Sequence, residues 1–229
     1  MILGLIHPGE MGAAVGAAVQ GHEVIWASDG RSDATRARAA AFRDVGTLDA
    51  LLAEADVVLS ICPPHAALDV ARAAEGLDGL YVDANAISPA HAEEIGQLHP
   101  RFVDASIVGG PDAPTLYLTG VEAEQVAGMF ACATRIVSDA SALKMAYAAW
   151  SKGTAALLHA IQDVARSYGV EDEWRRAAPE LLERLAAAER SADAKGWRWI
   201  AEMEEIADTF AAAGAPDGFH RAAAEVFRA

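Results

Sequence analysis

The chain has 229 residues, 53% of them hydrophobic and 22% charged, with a formal net charge of −15. That is enough apolar material for a packed core, which excludes wholesale disorder, and the length admits one domain or two small ones. So acidic a chain is unsuited to a phosphate backbone or an anionic membrane, so neither a nucleic-acid nor a membrane partner is expected.

Residues 1–6 form an apolar run closed by a Gly/Pro turn, and residues 11–20 read as a small-residue helix. A second apolar run, Val24-Ile25-Trp26, leads through a polar turn at 28–33 to an Ala/Arg-rich helix ending near Phe42. Then follow a helix over 48–54, a strand over 57–62, a helix over 66–74, a strand over 80–84 and a helix over 88–98 with Pro89 in its first turn. Residues 102–108 read as a strand, 116–119 as another, 121–132 as a helix and 135–137 as an edge strand. Continuous apolar strands alternating with helices predict a parallel sheet covered on both faces.

After Ser138 the texture changes. Residues 141–168 contain no proline and read as one helix about 42 Å long, ending at Gly169. Helical stretches over 171–190, 196–213 and 217–229 follow. The expected architecture is an α/β Rossmann-type domain over 1–139, then an all-α domain over 140–229 joined by a long interdomain helix. Two cysteines and no H-x-x-x-H spacing predict neither a disulfide framework nor a metal site. With no signal-peptide pattern and no membrane-spanning run, a cytoplasmic protein is expected.

The strongest local motif is GLIHPGEMG, residues 4–12, between a strand and a helix. A pyrophosphate needs glycine where backbone approaches it and free N–H groups at a helix start. Gly9 and Gly12 occupy the second and third glycine positions of G-x-G-x-x-G; His7 occupies the first. Candidate cofactor contacts are therefore His7, Pro8, Gly9, Glu10, Met11 and Gly12. After the next strand comes Ser28-Asp29-Gly30-Arg31-Ser32. Four of the seven basic residues in 1–139 (Arg31, Arg36, Arg38, Arg43) fall within 13 positions. Arg31 with Ser28 and Ser32 suits a 2′-phosphate, favouring NADP over NAD, although Asp29 speaks for NAD. Asn85, just past a strand end, is a candidate for the nicotinamide amide or a substrate oxygen.

The same motif resembles the opening of the β-hydroxyacid dehydrogenases, relatives of 6-phosphogluconate dehydrogenase and the imine reductases. The resemblance continues in order through SICPP (60–64), DANAISP (83–89), VDASIVGGPD (103–112) and SALKMAYAAWSKG (141–153), covering about residues 1–170. The C-terminal part is similar to an uncharacterised branch with a shorter helical domain. The resemblance implies that Cys62, Pro63 and Pro64 border the nicotinamide, that Asn85, Ala86, Gly109 and Gly110 border the substrate, and that Lys144 is the catalytic general acid/base. It also implies a homodimer sharing the long helix. The chain departs from the pattern at Asn85-Ala86, Val108 and Tyr147-Ala148, where the family holds a substrate carboxylate.

The expected activity is hydride transfer between NADP and a small carbonyl or hydroxy compound, with Lys144 supplying the proton. Tyr147 and Ser151 share a helix face and are candidate substrate contacts. Trp197 and Trp199 cannot share one face, so one of them is expected at the cleft or a partner; Met203, Glu204, Phe219 and His220 are candidates to reach a partner's site. Two other readings stay open: an imine reductase using the same cleft, and a nucleotide-binding protein without catalysis.

Overall fold

The computed structural model describes residues 1–228, with the side chains of 187–198 outside the description; the expectation for Trp197 lies outside the described residues. The chain divides into two compact units, Met1–Lys144 and Met145–Ala229.

The first unit runs β1 (Ile2–Ile6), α1 (Glu10–Ala17), β2 (Glu23–Trp26), α2 (Asp33–Arg38), β3 (Arg43–Asp44), α3 (Leu48–Glu54), β4 (Val57–Ser60), α4 (Ala67–Ala73), β5 (Leu80–Asp83), α5 (Pro89–Leu98), β6 (Phe102–Val108), β7 (Thr115–Thr119), α6 (Ala123–Ala127) and β8 (Ala133–Ile136). The sheet order is β3-β2-β1-β4-β5-β6-β7-β8. β1 to β6 are mutually parallel in the doubly wound order, with the strand order reversing between β1 and β4. The expected all-parallel sheet is corrected at β7, which runs antiparallel to β6. Residues 109–114 are too few for a parallel crossover, which takes about a dozen, so the chain turns back. A two-residue strand, β3, also stands between the helix expected to end near Phe42 and the helix over 48–54, where no element was expected.

Both sheet faces are covered, which is why the strands read as unbroken apolar runs. Leu5, Leu59, Val82, Ala105 and Leu118 face one layer, with Val15 of α1 and Val126 of α6. Ile6, Val58 and Tyr81 face the other, with Leu51 of α3, Ala71 of α4 and Ile95 of α5. Toward the carboxyl ends of the strands this second face turns polar. Ser60 registers with Asp83, Asp83 with Asp104 and Asp104 with Thr119 across four strands.

α7 (Ala140–Ser167) is the expected long helix. The second unit continues with α8 (Glu171–Ala177), α9 (Leu182–Ala212) and α10 (Gly218–Val226). Two expectations fail here. The helix over 171–190 is interrupted, because Pro179 lacks an N–H and opens a short 3-10 turn instead. From Leu182 the helix then continues unbroken for 31 residues, so Gly196 does not start a new one. Within this unit Lys152 pairs with Glu202, and His220 packs edge-on against Phe210 and Phe219. Met203 and His220 are buried in their own unit, which does not fit the expectation that they reach a partner's site; Glu204 forms an exposed pair with Arg228.

Candidate functional site

The turn from β1 into α1 is built by three residues. His7 takes φ +63°, the left-handed region that glycine usually fills. Its carbonyl folds back to accept from Gly9 N at 2.7 Å. That same carbonyl oxygen lies 2.7 Å from where a Cβ on Gly12 would stand, so backbone meets backbone and only glycine fits. Gly9 is different. A Cβ there would meet nothing nearer than His7 O at 4.0 Å, so the fold itself does not require a glycine. The space over Gly9 is what backbone N–H groups need to approach a pyrophosphate at the start of α1. The residues present therefore fit a dinucleotide. Pro8 is buried and Met11 packs into the core, so both shape the turn from within. Glu10 is exposed in the first turn of the helix.

Beside the turn lies a cavity of about 350 Å³, lined by His7, Ala27, Asp29, Arg31, Asp69 and Val70 together with apolar residues of β1, α3 and α4. It sits at the carboxyl ends of β1 and β2, where such sheets receive the adenosine half of a dinucleotide. Of the four clustered arginines only Arg31 lines it. Arg36 donates to Ser28 O at 2.8 Å, and Arg43, in β3, is paired with Glu23 and Glu54 at 2.7 Å each. The two serines are corrected. Ser28 is buried and its hydroxyl bonds Asp44, holding that carboxyl below its ordinary range. Ser32 caps α2, its Oγ accepting from Thr35 N at 3.3 Å. Asp69 and Val70 were missed by sequence reading, because nothing in the sequence of α4 shows which face meets the cavity.

At the ends of β4 and β5, Asn85 is a structural node and not an open ligand group. It is 2% exposed. Its Oδ1 accepts from Cys62 N at 2.5 Å, and its Nδ2 donates to Asp83 Oδ2 at 2.8 Å and Ser60 Oγ at 3.3 Å. The expectation that Asn85 holds the nicotinamide amide or a substrate oxygen is corrected accordingly; it fixes the loop carrying Cys62, Pro63 and Pro64. Burial pushes the Cys62 thiol up to about 12, with nearby Asp83 adding to it, so it is a protonated packing residue. Burial likewise raises Asp83 to about 7.

The segment carrying Lys144 is pinned from β6. Asp104 Oδ2 accepts from Ser141 N at 2.9 Å and Oδ1 from Ser141 Oγ at 2.8 Å, closing the first turn of α7. One turn on, Lys144 Nζ donates to Ile107 O at 2.7 Å. The amine thus stands at the carboxyl end of β6, next to Gly109 and Gly110. Gly109 takes φ +102°, and a Cβ there would meet Ala113 O at 2.6 Å; Gly110 has open space. Ala86 is half-buried in the turn before α5. Tyr147 and Ser151 belong to the second unit. The Ser151 hydroxyl donates to Tyr147 O at 3.0 Å, and the Tyr147 ring, 40% exposed, tilts against Trp150. Among the described residues no helix is long and apolar enough to cross a membrane.

The doubly wound sheet, the nucleotide-type turn and the long helix define the class: the chain has the fold of the 3-hydroxyacid dehydrogenases and imine reductases, as its sequence motifs imply. Residues 165–229 match the family model "Domain of unknown function (DUF1932)". A conserved protein of unknown function, whose structure was described as similar to 3-hydroxyacid dehydrogenases, is 25% identical with a TM-score of 0.72, over 100% of this chain and 96% of that one. A reductive aminase from Aspergillus terreus, solved with NADPH and ethyl levulinate, is 16% identical with a TM-score of 0.60, over 99% and 92%. An uncharacterized 28.5 kDa protein from Methanothermus fervidus is 31% identical over 140 residues, 54% of this chain; the match spans about half of that relative's length, 53%.

Proposed function

We propose that this chain is an NADP-dependent oxidoreductase that reduces a small carbonyl compound, or oxidises the corresponding alcohol, with Lys144 as general acid/base. The observation that carries the reading is the position of one amine: Lys144 Nζ on Ile107 O, at the same carboxyl edge of the sheet as the His7–Gly12 turn. The nucleotide supplies a hydride to the carbonyl carbon. Negative charge then develops on oxygen, and the Lys144 ammonium donates its proton there; in the reverse direction the neutral amine takes the hydroxyl proton. Arg31 favours the 2′-phosphate, in keeping with the NADPH bound in the reductive aminase. A cytoplasmic setting and two unpaired cysteines belong to the same reading.

Fluorescence titration with NADPH and NADH tests it. NADPH is expected to bind at least about tenfold more tightly, with the gap narrowed in Arg31→Ala. Equal or tighter NADH binding contradicts the NADP assignment. A panel of carbonyls and imines with NADPH then tests the chemistry. An imine reductase is the second reading, favoured by Ala86, Val108 and Ala148 where the resembled dehydrogenases hold a carboxylate; turnover confined to imines decides for it.

A homodimer built on α7 is part of the proposal. Tyr147, Trp150, Leu157, Val164 and Tyr168 are 40%, 63%, 44%, 58% and 80% exposed. With Thr154 and Ile161 they form a stripe spaced three and four residues apart, the seam of a helix that meets another helix. Light scattering is expected to show a dimer, and the double variant Leu157→Asp/Val164→Asp a folded monomer. A monomeric wild type removes this part of the proposal.

A further inference from the structure

His7 stands where the dinucleotide pattern places its first glycine, and the backbone keeps a glycine's conformation, φ +63°. Histidine tolerates this region better than branched residues but less well than glycine. The hydrogen bond from Gly9 N to the His7 carbonyl steadies the turn, but the side chain adds nothing to it. The ring's Nδ1 is buried with no hydrogen-bond partner among the described residues, itself an unfavourable state. A left-handed backbone and an unpartnered ring nitrogen on one residue direct attention outside the chain.

His7 lines the cavity of about 350 Å³ shared with Ala27, Asp29, Arg31 and Asp69. Burial, with the nearby Arg31 charge, lowers its pKa to about 4. At neutral pH the imidazole is therefore uncharged, with one donor and one acceptor nitrogen. A half-turn about Cβ–Cγ exchanges its Nδ1 and Cδ2 edges without moving the backbone. A hydroxyl adjoining a phosphate matches this pair of residues: the hydroxyl meets the ring and the phosphate meets the guanidinium.

We propose that His7 is a nucleotide-recognising residue, its imidazole hydrogen-bonding the ribose-phosphate portion of a bound dinucleotide beside Arg31. The inference rests on the nucleotide reading above and adds a side-chain contact that a glycine cannot make.

NADPH titration and thermal unfolding of wild type, His7→Gly and His7→Asn test it. His7→Gly relieves the backbone, so its melting temperature holds or rises. Its NADPH affinity nonetheless falls about fivefold to tenfold, the effect of one lost hydrogen bond. Asparagine tolerates the left-handed region and keeps a donor and an acceptor, so His7→Asn recovers part of the loss. A His7→Gly protein that binds NADPH as tightly as wild type, or more tightly, overturns the role of His7 alone. A wild type that binds neither NADPH nor NADH overturns the nucleotide reading and this inference with it.

Discussion

Replacing Lys144 with alanine is expected to lower turnover by about 10²–10⁴-fold on whichever carbonyl proves to be reduced, the usual contribution of a positioned proton donor. NADPH affinity should stay within about twofold of wild type, because the amine lies at the end of β6 and the nucleotide turn at the end of β1. The variant gives up the hydrogen bond to Ile107 O, and one such bond is worth about 1 kcal/mol, which a folded domain tolerates. Lys144→Arg separates charge from proton transfer. Arginine stays protonated, so it can steady an oxyanion but cannot cycle a proton. Its residual activity should lose the limb of the pH profile that the lysine supplies. Undiminished turnover in Lys144→Ala ends the case for catalysis by this residue and shifts weight to the imine reading.

The second large effect concerns stability. Asp83 is fully buried, and its pKa is raised from 3.8 to about 7, chiefly by burial. The buried Asp104, in register with it on β6, is itself raised to about 6. A carboxyl whose pKa is higher in the folded state binds its proton more tightly there. Its contribution is therefore complete at pH values below about 4 and is lost as pH rises through 7. For Asp83 this amounts to about 2–4 kcal/mol across that window. Asp83→Asn removes the titration. The variant also loses the hydrogen bond that Asp83 Oδ2 accepts from Asn85, but that cost does not vary with pH, so the slope carries the test. Melting temperatures measured between pH 5 and 8 should diverge, with the variant gaining on wild type as pH rises. Parallel curves would mean that Asp83 ionises normally.

Most of the fold was legible because its signals are periodic and local. Apolar runs of strand length, Ser88-Pro89 at the start of α5 and the proline-free span of α7 all announce themselves. What was missed depends on distant partners. β3 is two residues long and exists because it pairs with β2 and is held by ion pairs from Arg43 to Glu23 and Glu54. β7 reverses because the connection before it is short. The site divides in the same way. The glycines of the turn are signalled by their spacing, and Lys144 by resemblance alone. Ser28, Ser32 and Asn85 are polar residues in the turns after strands, and their sequence cannot say whether they face a ligand or bond within the protein; here Ser28 and Asn85 are buried, and the exposed Ser32 caps a helix. The Asp104–Ser141 clamp joins residues 37 positions apart and has no local signature.

The turn after β1 also bears on how such sites are searched for. Its three glycine positions answer three separate demands: the first a left-handed backbone, the second room for a visitor, the third clearance from a carbonyl 2.7 Å away. Only the third is a steric absolute. A pattern written in letters rejects this chain at its seventh residue. A pattern written in dihedral angles and clearances accepts it, and would gather other chains that carry a side chain at the first glycine position.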